Sequence, residues 1–339
     1  MGKKLHFGII GAGRIGPVHA ETLAFRLPEA EIVAIADMNL EAARAVAERC
    51  NIPKVTASAE EIFADKKIDA VLICTSTNTH ADLIVQAAQA GKHIFCEKPV
   101  SLSLEKIDSS LAAVKAAGVK MQVGFNRRFD SNFMRVRKAV ESGEIGKPSL
   151  MHIISRDPAP PPLAYLRPSG GIFLDMMIHD FDMARYLMGE EVEEIYASGG
   201  VLVEPGFAGE DDLDTALVVL HFKSGAIGTI DNSRKAVFGY DQRVEILGSK
   251  GKIASENRYP NEVVVSGEKC VYTDLPLNFF MQRYTESFAL ELKMFVEAVL
   301  EGKPMPVTGE DSRVPVVMAL AARKSYDEHR PVKLAEVEA

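Results

Sequence analysis

The chain has 339 residues, 47% of them hydrophobic and 25% charged, which suits about two globular domains, long enough together to bury a real core. Its net charge of -8 argues against a nucleic-acid surface, because phosphate binding needs clustered Lys and Arg, and no apolar run approaches the roughly 20 residues that span a bilayer. No secretory signal precedes the first strand-like segment, and Cys50, Cys74, Cys96 and Cys270 form no C-x-x-C pair, so reduced, mostly buried thiols and a cytoplasmic location are expected.

Residues 1–125 alternate strand and helix signals. Apolar runs of strand length lie at Leu5–Ile10, Glu31–Ala36, Ala70–Cys74, His93–Cys96 and Lys120–Phe125. Helical patterns fall at Arg14–Leu27, Leu40–Cys50, Ala81–Ala90 and Leu104–Ala117, with Gly91 and Gly118 placed for left-handed caps. Ser58 and Glu61 have the spacing of a capping box. Such alternation implies crossover units and a parallel sheet. The pattern changes near Phe125. A helix is expected over Asp130–Ser142, a strand over Leu150–Asp157, a loop at Pro158 and Pro160 to Pro162, and one helix over Ile172–Met188. Short strand-like runs from Glu193 to Thr273, with turns at Lys223-Ser224-Gly225 and Gly248-Ser249-Lys250-Gly251, predict antiparallel hairpins. A long helix, Gln282–Leu300, and a last one within Asp311–His329 complete an α/β chain of two domains, 1–125 and 126–339.

Gly11-Ala12-Gly13-Arg14-Ile15-Gly16 is a G-x-G-x-x-G turn between a strand and a helix. Gly11 permits the tight turn, Gly13 lets a pyrophosphate approach the backbone, and Gly16 brings helix and strand together. The helix N-terminus offers unpaired N–H groups to the phosphates. Taken alone the motif can be structural, but the second strand ends in Asp37, whose carboxylate suits adenosine ribose hydroxyls and repels a 2′-phosphate. No Arg follows at Met38 or Asn39, so the Rossmann domain is expected to bind NAD rather than NADP. Thr75-Ser76-Thr77-Asn78-Thr79-His80 also follows a strand, where ligand crevices form. The same stretch serves equally as a polar cap through Asn78 or Thr79, and His80 reads as a supporting residue.

Glu97-Lys98-Pro99 ends the next strand on the crevice side. A Lys at a strand end is usually just solvated, but here it lies beside the expected nicotinamide. Asp175 and His179, at i and i+4, share a face of the expected Ile172–Met188 helix among apolar neighbours. Alone they suit a buried structural pair; no further cluster completes a metal site around them, and no metal is expected. Oxidising a secondary alcohol needs a group to take the hydroxyl proton, and His179 fits a general base. Lys98 can donate a hydrogen bond to the developing alkoxide, and Asp175 can hold the ammonium.

Together these residues resemble the Gfo/Idh/MocA oxidoreductase family, over nearly the whole chain. The marks are the Gly11–Gly16 turn, Glu97-Lys98-Pro99 and Asp175-x-x-x-His179. The resemblance implies a second α/β domain with a large open, mostly antiparallel sheet that builds dimers or tetramers, here a homotetramer. Further runs are similar to the inositol dehydrogenase branch: Gly124-Phe125-Asn126-Arg127-Arg128-Phe129-Asp130, Ser155-Arg156-Asp157-Pro158, Ser169-Gly170-Gly171-Ile172-Phe173-Leu174-Asp175, Asp231-Asn232-Ser233-Arg234, Gly239-Tyr240-Asp241-Gln242-Arg243 and Phe279-Phe280-Met281-Gln282-Arg283-Tyr284. This implies NAD-dependent oxidation of the polyol myo-inositol to 2-keto-myo-inositol, with Lys98, Asp175 and His179 catalytic. It places Arg128, Asp157, Tyr240 and Tyr284 near the polyol, and Asn126 and Arg127 between cofactor and substrate. The tyrosines also suit ordinary half-buried packing, and the arginines a solvated approach to a helix. The same scaffold suits scyllo-inositol, chiro-inositol or an aldose, and relatives of the fold serve as co-repressors; the presence of both Lys98 and His179 favours an enzyme.

Overall fold

The computed structural model describes residues 3–338, which form two compact units. One holds the chain to Phe129 together with Glu286–Val314; the other holds Asp130–Thr285 and the chain from Pro315 onward.

The first unit is built on β1 (Leu5–Ile10), β2 (Ala30–Ala36), β3 (Lys54–Thr56), β4 (Ala70–Ile73), β5 (His93–Cys96) and β6 (Met121–Val123). They form one sheet in the order β3-β2-β1-β4-β5-β6, parallel throughout. β1, β4 and β5 are almost wholly buried, which is why they read as apolar runs without alternation. Helices α1 (Gly16–Arg26), α2 (Leu40–Cys50), α3 (Ala59–Ala64), α4 (Thr77–Gln89) and α5 (Leu104–Ala117) provide the crossovers. This is the Rossmann arrangement, and the strand order reverses between β1 and β4, where such folds open a ligand crevice. β3 is only three residues long and gives too little signal to be read from sequence.

Local capping departs from expectation. Ser58 makes no cap bond; its hydroxyl donates to Glu60, and Glu61 accepts from the Thr56 hydroxyl at 2.6 Å. α4 starts at Thr77, so Asn78 and Thr79 lie inside it, and the N-cap is Ser76 without a side-chain bond. α2 is capped by Asn39, whose side chain accepts from the backbone N–H groups of Glu41 and Ala42.

The helix Thr285–Leu300 supplies the other surprise. Leu292, Phe295 and Val296 sit in the same core cluster as Phe7, Ile9, Leu72 and Phe95. The Phe295 ring lies 6.0 Å from that of Phe7 and 5.8 Å from that of Phe95. Position in the chain alone assigns this segment to the second domain, 126–339. Its apolar stripe instead completes the first unit. Phe295→Ala should therefore destabilise the first unit by about 3–5 kcal/mol, measured by chemical denaturation.

The second unit begins with α6 (Ser131–Glu141), capped by the Asp130 carboxylate. Its strands are β7 (Pro148–Arg156), β8 (Val192–Gly200), β9 (Thr215–Phe222), β10 (Ile227–Ser233), β11 (Asp241–Gly248), β12 (Gly251–Ser255), a separate hairpin β13 (Val264–Ser266) with β14 (Val271–Thr273), and β15 (Val332–Lys333). Seven of them make a sheet in the order β12-β11-β7-β10-β9-β8-β15, antiparallel except for β7 with β10. Both expected hairpin turns are present, joining β9 to β10 and β11 to β12. Ile195, Val218, Ile230 and Ile246 are buried on one face, while Tyr196, Leu217, Ile227 and Leu247 are exposed on the other.

Two expected helices are interrupted. Ile172–Met188 divides into a π-helical turn, Ile172–Met176, and an α-helix, Ile178–Met188, which with α7 (Leu163–Ser169) before it becomes α8. Gln282–Leu300 is broken at Tyr284 (φ -113°, ψ 17°), between a short turn, Phe280–Arg283, and the helix Thr285–Leu300.

Candidate active site

In the first unit the carboxyl end of β1 carries the glycine turn. Gly11 has φ +108°, and a Cβ there would stand 2.5 Å from the Cys74 carbonyl oxygen; at Gly16 it would meet the Gly11 carbonyl at 2.3 Å. Neither position admits a side chain. Gly13 is open, with nothing within 4 Å of a Cβ, so a ligand has room to reach the backbone. Arg14 beside it is exposed and Ile15 is the N-cap of α1, with no side-chain cap bond. The N–H groups there are presented as an anion cradle. Asp37 accepts from the Ala12 N–H at 2.6 Å and from the Asn39 N–H at 2.7 Å, which fixes its carboxylate beside the turn. Met38 is 93% exposed.

Beyond β4, Thr75 and Thr79 share a hydroxyl hydrogen bond of 2.6 Å, Thr77 is half-buried, and Ser76 and Asn78 are exposed. His80 is buried, with Nδ1 2.8 Å from the Pro99 carbonyl and Nε2 3.0 Å from the Thr75 carbonyl. Burial lowers its pKa below the ordinary imidazole range, outweighing the two carbonyls. It ties the loop after β4 to the loop after β5. Glu97 and Lys98 are half-buried, and the Lys98–Pro99 peptide bond is cis. Asn126, Arg127 and Arg128 form a 3₁₀ turn, the first two buried. Arg128 pairs with Asp311 at 3.1 Å. Burial pushes the Asp311 carboxyl up, but Arg128 and hydrogen bonds from Thr308 outweigh it and hold it below the usual carboxylate range.

In the second unit the π-helical turn presents Asp175, and α8 carries His179 in its first turn; both are half-buried. The backbone enters this turn through Gly171 (φ +74°), where a Cβ would stand 2.5 Å from the Asp212 carboxylate, and Asp212 accepts from the Ile172 N–H at 2.9 Å. Asp175 accepts from the Tyr165 hydroxyl at 3.0 Å and from Arg234 at 3.2 Å. Arg234 also reaches Asp157 at 3.4 Å. It is 3% exposed, so a buried guanidinium joins two of the expected site carboxylates. Tyr284 is buried with its hydroxyl donating to Gln242 at 3.3 Å, and the Tyr240 ring stands edge-on to it at 6.1 Å.

Sequence reasoning passed over Arg234 and Tyr165. The signal for Arg234 was available in Asp231-Asn232-Ser233-Arg234 at the end of β10, where a charged side chain continues an alternating strand. Tyr165 lies just past the proline loop and carries no pattern.

The comparisons with known proteins follow this division. Residues 5–125 match the model of an oxidoreductase family with an NAD-binding Rossmann fold, and residues 133–254 match the GFO/IDH/MocA C-terminal domain. The chain belongs to the Gfo/Idh/MocA oxidoreductase family. It is 50% identical over 333 residues to the myo-inositol 2-dehydrogenase of Thermotoga maritima, covering 98% of this chain and 99% of that one. It is 46% identical to the inositol 2-dehydrogenase of Rhizobium meliloti, over 98% of this chain and 99% of that one. A crystal structure of scyllo-inositol dehydrogenase from Lactobacillus casei with NAD(H) and scyllo-inositol has a TM-score of 0.92 and 28% identity, covering 98% of this chain and 100% of that one.

As a member of this family the chain is an oxidoreductase with NAD as its cofactor, and the open glycine turn, the uncapped α1 terminus and the fixed Asp37 carboxylate fit that dinucleotide. Gly11→Ala should weaken NAD binding by about tenfold or more in calorimetric titration, since no L-residue fits that backbone. Asp37→Ser combined with Met38→Arg should shift the ratio of kcat/KM from NAD towards NADP. Arg234→Met should leave Asp157 and Asp175 without their buried counter-charge and cost about 3–5 kcal/mol in chemical denaturation.

Proposed function

We propose that the enzyme oxidises one secondary hydroxyl of an inositol, with myo-inositol as the preferred substrate and 2-keto-myo-inositol as the product. The observation that carries this is near full-length similarity, at 50% identity, to a protein named myo-inositol 2-dehydrogenase, in a chain that carries Lys98, Asp175 and His179. Bound NAD supplies the hydride acceptor. His179 takes the hydroxyl proton on a ring nitrogen, as general base. Lys98 donates a hydrogen bond to the oxygen as negative charge develops there. Asp175, held by Tyr165 and Arg234, is the supporting carboxylate of the proposed set.

Asp157, Arg128, Asn126, Tyr240 and Tyr284 are proposed to read the other hydroxyls. A polyol lacking one of them would leave a buried polar group unpaired, at a cost of roughly 1–3 kcal/mol. Gly11 to Gly16, Asp37, Met38, Thr75 to Asn78, His80, Glu97, Lys98 and Arg127 are proposed to surround the cofactor, His80 through the carbonyls it holds. The reading carries with it a homotetramer in the cytoplasm; the exposed apolar residues Tyr196, Leu217, Ile227 and Leu247 on one face of the second unit's sheet support self-association.

Lys98→Ala and His179→Ala are expected to abolish turnover while NAD titrates normally. A panel of inositol isomers and aldoses, followed by absorbance of the reduced nicotinamide, should show myo-inositol with the highest kcat/KM. Full activity of either variant removes the mechanism, and an aldose at the head of the panel removes the substrate.

A further inference from the structure

The first unit encloses a group of three ionisable side chains, two of which, His19 and Glu291, have no part in the proposed reaction. His19 of α1, Glu97 at the end of β5 and Glu291 of the helix Thr285–Leu300 each bring one donor atom to within 4.8 Å of the others. His19 and Glu291 are fully buried and the Glu97 side chain nearly so. His19 Nε2 lies 2.6 Å from Glu97 Oε1. A carboxylate can only accept, so the ring carries a proton on Nε2. Phe95 and Phe288 hold the imidazole edge-on, with centroids 5.3 and 5.6 Å away. The Glu97 carboxylate also lies against the backbone of Gly124, where a Cβ would stand 3.0 Å from Oε1.

Glu291 is the anomaly. Both of its carboxylate oxygens are shut off from water and neither has a hydrogen-bond partner. Its backbone carbonyl is pinned by the Gln122 side chain at 3.0 Å, so the residue is held where it is. The thiols of Cys74 and Cys96 are fully buried and, by burial first and Glu97 next, pushed well above their ordinary range, so these neighbours add no charge of their own. An ionised Glu291 would thus be a desolvated charge facing a second carboxylate, which costs several kcal/mol. Burial first, and then Glu97, hold the Glu291 carboxyl well above the usual carboxylate range.

We propose that Glu291 is kept as a neutral carboxylic acid, so that no second buried charge opposes Glu97, and that His19 fixes Glu97, so that His19 and Glu97 act as positioning residues for Lys98. The His19–Glu97 contact has the length of a hydrogen bond and is too short for two donors on a tetrahedral ion. Two donor atoms on one tetrahedral ion at about 2.1 Å lie about 3.4 Å apart, well beyond the 2.6 Å between His19 and Glu97. Lys98 stands between two anchored neighbours: Glu97 is held from the core by His19, and the Pro99 carbonyl by His80. The catalytic consequence rests on the role proposed for Lys98 above; the proton on Glu291 and the placement of Lys98 do not.

Infrared spectra of the whole chain in H2O and D2O near neutral pH test the proton. The expected result is the C=O stretch of a protonated carboxyl group, shifted by D2O and missing from Glu291→Gln, which folds because an amide matches the acid in shape and neutrality. Lack of that band, its persistence in the variant, failure of Glu291→Gln to fold, or one divalent metal ion per chain by elemental analysis would each overturn it. The placement of Lys98 is read from its side-chain resonance in chain carrying ¹³C-labelled lysine, assigned with Lys98→Arg. His19→Phe keeps the ring and loses the N–H, with His19→Ala as a second variant. Either should move that resonance and lower kcat for inositol about tenfold with KM within about twofold, and His19→Gln, which restores an N–H, should recover most of both. An unmoved Lys98 resonance overturns the positioning role. A moved resonance in a chain that oxidises no inositol removes the proposed reaction and leaves the placement standing.

Discussion

Arg234 lies out of reach of water with Asp157 on one side and Asp175 on the other, and the chemistry of the second unit is arranged around that fact. A guanidinium cannot shed its charge, so burying it demands carboxylates, and each carboxylate it recruits is thereby fixed in place. Asp175 is then held from two directions, by Arg234 and by the Tyr165 hydroxyl. The π-helical turn that presents it is entered through a glycine that no other residue can replace without striking Asp212. Electrostatic demand and backbone geometry agree on one position for one carboxylate.

The first unit solves its positioning problem with backbone rather than charge. The β1 turn is so crowded that two of its residues have no room for a side chain, and the open one between them gives a ligand access. Asp37 is aimed by accepting two backbone N–H groups. The two histidines work in the same spirit. His80 and His19 are both buried; His80 lies against two loop carbonyls and His19 holds Glu97 through Nε2, so both serve the segments around Lys98 rather than chemistry of their own.

What could be read from sequence tracks the range of the forces involved. The parallel sheet, its glycine turn and the Asp37 carboxylate are encoded within a few residues of one another, by apolar runs and by glycines that have no substitute. The antiparallel hairpins of the second unit were legible for the same reason, through Lys223-Ser224-Gly225 and the Gly248 to Gly251 turn. Interruptions were not. Periodicity reads Ile172–Met188 as one helix because the π-helical turn keeps its apolar residues buried, and only tertiary contacts such as Asp212 with Ile172 reveal the break. Tyr284 hides another break for the same reason. Glu291 was beyond reach, since nothing near it in the chain says that a lone charged residue in a helix is buried beside another carboxylate; for Arg234 the run Asp231 to Arg234 marks the segment but not the carboxylates it meets, which lie far away in the chain.

The return of Glu286–Val314 to the first unit bears on how the protein is made. The dinucleotide-binding sheet is complete by Val123, but its core lacks Leu292, Phe295 and Val296 until the polypeptide is nearly finished. On the ribosome the nascent N-terminal half therefore waits with an unsealed apolar flank while the whole antiparallel sheet is synthesised. An excised fragment ending at residue 125 would carry that flank permanently, and any circular permutation of this chain has to keep the late helix joined to the sheet it closes.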